Sequence, residues 1–274
     1  MGAPEFLYKT AAGRALLKPL VSRGVSRFSG TLLNTAASKA LIGPFVRRAG
    51  IDTEEYDLSE IGCFNDFFCR PLKPGRRNVE FSPEALIAPC DGRLTAIPLR
   101  RGTALCVKQS RWSVERLLGD PALAASFEGG VCLVFRLCVD NYHRYCYFDG
   151  GEKSANIFLP GKLHTVRPVA LEEIPVFTEN CREYAVIETE SFGRAVQAEI
   201  GAMLVGRIVN NDPGPCRVRR GEEKGRFEYG GSTILVLLQK DAAVLREDIL
   251  RASARGEETP VKLGERIGAR VRAE

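Results

Sequence analysis

Gly230-Gly231-Ser232-Thr233 stands between Phe227-Glu228-Tyr229 and the apolar run Ile234-Leu235-Val236-Leu237-Leu238. Paired glycines reach backbone conformations closed to other residues. A distorted peptide there brings the Ser232 hydroxyl onto the Gly231 carbonyl carbon. Attack shifts the acyl group from nitrogen to oxygen, and β-elimination of the ester releases the upstream chain. The downstream chain then begins with dehydroalanine, whose imine tautomer is hydrolysed by water, releasing ammonia and leaving a pyruvoyl group. The same four residues also spell a Gly-Gly hairpin turn before a core strand, and taken alone they read first as that turn.

Proton-transfer candidates are few. The chain has two histidines, His143 and His164, and nine cysteines. Imidazole is the side chain whose ordinary pKa suits proton transfer near neutrality. The cysteine number is odd and no CxxC pair occurs, which points to a reduced, cytoplasmic setting rather than a disulfide scaffold. With two histidines and no paired cysteine motif, no metal site is expected. Cys132 and Cys138 read as small core residues.

The elements that must hold these groups follow from length and pattern. At 274 residues and 45% hydrophobic content, the chain makes one large domain or two small ones. Its formal net charge of +5 does not call for nucleic acid. Residues 1–50, however, hold Lys9, Arg14, Lys18, Arg23, Arg27, Lys39, Arg47 and Arg48 against Glu5. That asymmetry suits an anionic membrane surface. Leu17, Val21, Val25, Phe28 and Leu32 recur at helical spacing, with Pro19 and Gly24 weakening a single helix. The stripe reads either as a face lying on a membrane or as a face packed on the protein's own core. No apolar run is long enough to span a bilayer, and no secretory signal is expected.

A short helix is predicted around Phe64, Phe67 and Phe68, ended by Pro71 and Pro74. From Leu86 onward, short β-rich runs alternate with Gly, Pro and Asp, which predicts a mostly antiparallel β core. Helices are predicted over 113–118 and 242–254. The fold class expected is α+β: an N-terminal helical region, then a mostly antiparallel β core with peripheral helices. The division expected is an N-terminal helical, membrane-associating region over 1–60 and a β-rich catalytic domain over 61–274.

Six stretches recur in a telling order. They are Phe64-Asn65-Asp66-Phe67-Phe68-Cys69-Arg70-Pro71, Pro89-Cys90-Asp91-Gly92-Arg93, Asp140-Asn141-Tyr142-His143-Arg144, Phe177-Thr178-Glu179-Asn180, Gly201 to Gly206, and Arg220 to Phe227 leading into Gly-Gly-Ser-Thr. Each is weak alone, but the ordered set, with a Gly264-Glu265-Arg266-Ile267-Gly268 tail, resembles the phosphatidylserine decarboxylase family over about residues 60–240. The resemblance implies a proenzyme that cleaves itself at Gly231–Ser232 into chains 1–231 and 232–274. Ser232 would become a covalent pyruvoyl group, the one cofactor. The substrate amine would form a Schiff base with it, and the conjugated system would accept the electrons left by carbon dioxide. The product would be phosphatidylethanolamine.

The resemblance carries over to Asp91 as the carboxylate of an Asp-His-Ser arrangement for self-cleavage, in which it fixes an imidazole that takes the serine proton. Read without it, Asp91 is an Asp-Gly turn residue. The family commonly shows Tyr-His-Arg-x-His, whereas this chain reads Tyr142-His143-Arg144-Tyr145-Cys146. His143 carries over as the proton donor of decarboxylation, and the cleavage base is left without its residue. Three repairs stand open: an ionised Cys146, His143 serving both steps, or His164 in the vacated place, which the intrinsic imidazole pKa favours. Arg144 and Lys224 are candidates for the lipid phosphate, with solvation at the surface the plainer reading of Lys224. The expected setting is peripheral, on the cytoplasmic face of the cell membrane, with phosphatidylserine as substrate, no nucleic acid, and a homodimer compatible with family habit. A non-cleaving membrane-binding relative, or a decarboxylase of a related serine phospholipid, are the alternatives.

Overall fold

The computed structural model describes residues 2–100, 105–107, 110–166, 168–202, 207–229 and 232–271. Four helices open the chain: α1 (Ala3–Lys9), α2 (Ala11–Leu20), α3 (Arg23–Leu33) and α4 (Ile42–Ala49). Thr10 and Ser22 cap α2 and α3, their hydroxyls accepting from the Gly13 and Val25 amides. The predicted single stripe is therefore cut at Val21–Ser22, just past Pro19, and its two halves face different surroundings. Leu17 and Val21 are buried in the main core with Tyr8 of α1. Phe28 and Leu32 are 67% and 52% exposed. The start of the region packs on the core, and Phe28 and Leu32 of its later part are exposed.

Helix α5 (Phe64–Phe68) is short and closed by a capping box between Cys63 and Asp66. Then come β1 (Ala85–Ile87), β2 (Gly92–Pro98), the hairpin β3 (Leu105–Val107) and β4 (Ser110–Trp112), and helices α6 (Val114–Leu118) and α7 (Pro121–Ala125). Next are β5 (Val131–Leu137), β6 (Arg144–Cys146), β7 (Gly151–Lys153), β8 (Ile157–Leu159), α8 (Pro168–Glu173) and α9 (Val176–Glu179). The last part holds β9 (Arg182–Thr189), β10 (Arg194–Ile200), β11 (Ile208–Asn210), β12 (Cys216–Val218), β13 (Glu223–Phe227) and β14 (Ser232–Leu238). It ends with β15 (Ala243–Leu245), α10 (Glu247–Ala254), β16 (Thr259–Val261) and β17 (Arg266–Arg270).

The main sheet runs β12-β7-β9-β10-β14-β5-β2-β16, with β8 added on β9. Two smaller sheets run β1-β17-β15 and β11-β13-β6. The strand pairs are antiparallel, so the class is α+β as the pattern predicts. Every residue of β14 is buried. A strand covered on both faces needs an unbroken apolar run, and Ile234 to Leu238 supplies it. The predicted helix over 242–254 starts only at Glu247. Ala243 to Leu245 pair instead with β17, where a strand edge offers partners that an isolated helical turn lacks.

Lys224 departs from its expected surface position. It is fully buried, and its Nζ donates to Glu199 Oε2 at 2.7 Å and to Asn210 Oδ1 at 3.0 Å. Burial pushes the Glu199 carboxyl up, with Lys224 pulling against it. The pair pins β13 against β10. Lys224→Met strands a buried carboxylate and is expected to cost about 3–5 kcal/mol in urea unfolding of an uncleaved variant. Adding Glu199→Leu should return much of that loss.

Candidate active site at the head of strand β14

Ser232 begins β14 at the edge of the described residues; Gly230 and Gly231, and with them the predicted cleavage bond, lie outside them. Its register is fixed from both sides. Ser232 pairs with Leu137 of β5 and Thr233 with Arg136, while Thr233 faces Ile200 of β10. Both hydroxyls are buried, and among the described residues neither Ser232 Oγ nor Thr233 Oγ1 has a hydrogen-bond partner. A buried, unpaired hydroxyl costs stability, and the Ser232 hydroxyl sits on the residue that the family resemblance implies as the nucleophile.

The segment just upstream is held by α5. The Tyr229 amide donates to Asn65 Oδ1 at 2.9 Å, and the Cys69 thiol donates to the Phe227 carbonyl. The Tyr229 ring meets Phe64 and Phe68 edge-on, both at 5.1 Å between centroids. Ser232 pairs with Leu137, and the Phe227 amide donates to the His143 carbonyl at 2.9 Å.

His143 is fully buried under Phe68, with ring centroids 4.0 Å apart. Burial, with Arg70 beside it, pushes the imidazole down to about 3, so it is neutral at physiological pH. Its Nδ1 lies 2.9 Å from the Asn141 carbonyl. A carbonyl can only accept, so Nδ1 carries the proton and Nε2 keeps its lone pair. That Nε2 is buried without a partner among the described residues. Arg70 steadies the turn by donating to the Asp140 and Asn141 carbonyls at 3.2 and 3.4 Å. His143 therefore presents an unpaired acceptor nitrogen in the uncut chain, whereas the donor part read from the sequence concerns the later decarboxylation step.

Asp91 lies at the same end of the sheet, just before β2, whose Arg93 pairs with Arg136 of β5. It is 1% exposed. Against the burial that would raise it, Arg77 holds its carboxyl below the usual range. Arg77 donates to it twice, at 2.9 and 2.6 Å, and the Leu263 amide and Lys262 complete the set. None of these hydrogen bonds goes to a histidine, so the expected Asp-His pair is not formed in this structure.

Cys146 lies on β6 against Pro89, its amide donating to that carbonyl at 2.8 Å. Burial pushes its thiol up to about 12, which leaves it protonated and a poor base; sequence reasoning could not see that no cation offsets the burial.

His164 lies on the other flank of β14. The Asn180 side chain accepts from the His164 amide at 2.9 Å and donates to the His164 and Gly201 carbonyls at 2.8 and 2.7 Å. Gly201 follows Ile200, the partner of Thr233, so one strand separates this knot from β14. Gly161 permits it: a Cβ there would come within 2.4 Å of the Glu179 carbonyl oxygen. Burial, with Lys162 nearby, pushes His164 down to about 4. Asn180, the last residue of the Phe-Thr-Glu-Asn stretch, is the brace. Asn65, Phe68 and Tyr8 were not picked out by role; Asn65 and Phe68 sit in the Phe-Asn-Asp-Phe-Phe stretch whose order was the signal.

Arg144 and Arg226 line a cavity of about 350 Å³ beside Cys69, together with Asp57, Glu60 and Asp66. Arg144 also donates to the Cys69 carbonyl at 2.8 Å.

The phosphatidylserine decarboxylase family model matches residues 64–269. The chain is 40% identical to phosphatidylserine decarboxylase proenzyme 2 of Clostridium acetobutylicum over 269 residues, 97% of this chain and 91% of that one. It is 39% identical to the phosphatidylserine decarboxylase proenzyme of Ruminiclostridium cellulolyticum over 267 residues, 96% and 89% of the two chains. The chain belongs to the phosphatidylserine decarboxylase family. Membership spans the α5 brace, both histidines and the Ser232 strand. It also covers the β17 tail, whose Gly264-Glu265-Arg266 entry packs by Asp91 through Leu263.

Proposed function

We propose that the chain is the precursor of a pyruvoyl-dependent phosphatidylserine decarboxylase and that it cuts itself between Gly231 and Ser232. The observation that carries this reading is the buried, unpartnered Ser232 hydroxyl at the head of β14, in a chain of that family. His143 Nε2 takes the proton as Ser232 Oγ adds to the Gly231 carbonyl, because its lone pair is free and its Nδ1 is fixed. The acyl shift yields an ester on Ser232 Oγ, and elimination across Cα–Cβ releases 1–231 as a carboxylate. The residues fit the pyruvoyl group, since Ser232 at the head of β14 would supply it and among the described residues His143 Nε2 is a buried polar atom left unpaired. When formed, that group supplies the electron sink for loss of carbon dioxide. His143 then serves the second step as well, and Asp91 acts through Arg77 and Leu263 by holding the β2 and β17 ends in place.

The N-terminal helices carry the membrane side of the proposal. Phe6, Leu16, Leu20, Phe28, Leu32 and Leu41 are exposed, and exposed Arg14, Lys18, Arg47 and Arg48 lie in the same region. Such a face suits the interface of an anionic bilayer, where an apolar surface and cations act together. Among the described residues no helix is long and apolar enough to cross a membrane. Peripheral attachment at the cytoplasmic face follows from this reading.

Intact mass of the purified protein, with a phosphatidylserine decarboxylation assay on mixed vesicles, tests it. Two chains split at 231/232, the smaller without a free amine, and release of carbon dioxide are expected. A single uncut chain, inert with vesicles present, would support the non-cleaving membrane-binding reading instead.

A further inference from the structure

The cavity of about 350 Å³ beside Cys69 draws its two signs of charge from different elements. Its cations are Arg144 of β6 and Arg226 of β13, direct partners in the antiparallel ladder. Partners in a ladder share one face of the sheet, and like charges set directly across from each other cost stability. Arg144 is held in place, its Nε donating to the Cys69 carbonyl at 2.8 Å and its Nη1 pairing with Glu223 at 3.2 Å. Its Nη2 has no partner among the described residues, and neither has the Arg226 guanidinium. An anion seated between the two arginines would remove their repulsion and use these idle donors.

The carboxylates lining the same cavity are Asp57, Glu60 and Asp66. Among the described residues, no ion pair joins any of them to either arginine. Each aspartate is committed through one oxygen to its own turn. Asp57 Oδ1 accepts from the Ser59 amide and hydroxyl at 3.0 and 2.7 Å, and Asp66 Oδ2 accepts from the Gly62 and Cys63 amides at 2.9 and 3.0 Å. The Ser59 hydroxyl holds the Asp57 carboxyl below its usual range, so it stays charged. The Asp57 amide donates to the Pro71 carbonyl at 3.0 Å, which ties the acidic segment to the chain beyond α5. These carboxylates are thus placed by backbone bonds, and both signs of charge face one space. Its volume falls at the lower end of small-molecule sites, about 300–1,000 Å³.

We propose that this cavity is a head-group site for a zwitterion joining a phosphate to a primary ammonium, the class to which the ethanolamine phosphate head group belongs. Arg226 and the free edge of Arg144 take the phosphate oxygens, which guanidinium geometry matches. The ammonium donates to the remaining oxygens of Asp57 and Asp66 and to Glu60. A phosphate alone would meet three carboxylates, and an amine alone would meet two arginines; the zwitterion satisfies both. A serine phosphate head group brings a further carboxylate against the acidic side and binds less well. On the function proposed above, this is selectivity for the head group of the product over that of the substrate. That correspondence rests on the proposed function, whereas the binding does not.

Calorimetric titration of soluble glycerophosphoethanolamine into the full-length Ser232→Ala chain tests the site, because that variant has no pyruvoyl carbonyl to capture an amine. Saturable binding is expected, with glycerophosphoserine and glycerol phosphate each weaker by about 10-fold or more, the scale of a lost charge-assisted contact. Arg226→Gln should weaken glycerophosphoethanolamine by about 10-fold or more as well. Glu60→Gln should narrow the gap between glycerophosphoethanolamine and glycerol phosphate, without weakening glycerol phosphate. Urea unfolding of both variants should match the parent, since neither side chain has a partner among the described residues. Co-sedimentation with phosphatidylcholine vesicles, with and without phosphatidylethanolamine, separates the two sources of the head group. A gain from phosphatidylethanolamine that Arg226→Gln abolishes assigns a membrane lipid, and soluble binding without that gain assigns a free amino-phosphate compound. No saturable binding, glycerol phosphate binding as tightly as the zwitterion, or Arg226→Gln titrating like its parent overturns the proposal. If the parent chain neither cleaves nor decarboxylates, the proposed function falls, while the titration still decides the head-group site.

Discussion

Ser232→Ala is expected to leave one uncut chain with no decarboxylase activity, and to fold at least as stably as the parent precursor. Both halves follow from the same atom. The methyl group cannot add to the Gly231 carbonyl, and it has no β-oxygen to eliminate, so neither the cut nor the pyruvoyl group can form. The hydroxyl it replaces is buried and has no partner among the described residues. Removing a buried hydroxyl with no partner relieves a desolvation penalty of about 1–3 kcal/mol rather than breaking a bond. Urea unfolding of Ser232→Ala beside a slow-cleaving parent reads this directly. Ser232→Cys gives a sharper control, because a thiol still permits the acyl shift. Its thioester should be cut by hydroxylamine at 231/232, whereas the alanine variant should resist. An alanine variant that still splits at this bond would remove Ser232 from the chemistry.

His143→Ala is expected to slow self-cleavage by roughly 10²- to 10⁴-fold, the usual contribution of a positioned general base. The site explains why this residue and not its neighbours. Its Nε2 is the buried lone pair of the site, while Cys146 is protonated and Asp91 is committed to Arg77. The substitution leaves a hole beneath Phe68, and free imidazole should enter it and restore part of the rate. A purely structural loss would show no such rescue. The pH profile provides a second check. A base neutral in the folded chain is active wherever it stays unprotonated, and burial has pushed His143 down to about 3. Self-cleavage should be nearly flat from about pH 8 to pH 5 and fall only below that, as the imidazole gains its proton. A midpoint near the ordinary histidine value would mean that His143 is solvated or that another group is the base.

These expectations divide the two steps differently from the sequence alone. The sequence left three bases open and favoured His164. The structure adds the partner atoms that distinguish the two imidazoles, because each tautomer depends on what faces Nδ1. A carbonyl two residues away faces His143, and a phenol 156 positions away faces His164. The first partner is local, yet it needs the turn that Cys138 and Asn141 close. The second needs the whole N-terminal helical region packed on the core.

The sequence by itself determined the chemistry available to this protein: a serine after two glycines at the start of an apolar run, two histidines, an Asp-Gly turn, and an order of motifs shared with one family. It also determined the α+β class, because alternation, apolar runs and turn residues are local properties. Only the tertiary structure decided what surrounds those groups. It paired Asp91 with Arg77 and Lys262. It buried Lys224 against Glu199 where charge alone suggested solvent, and it turned residues 243–245 into a strand because β17 was there to pair. Protonation, tautomer and pairing depend on atoms brought together from distant positions, and one-dimensional spacing carries no record of them.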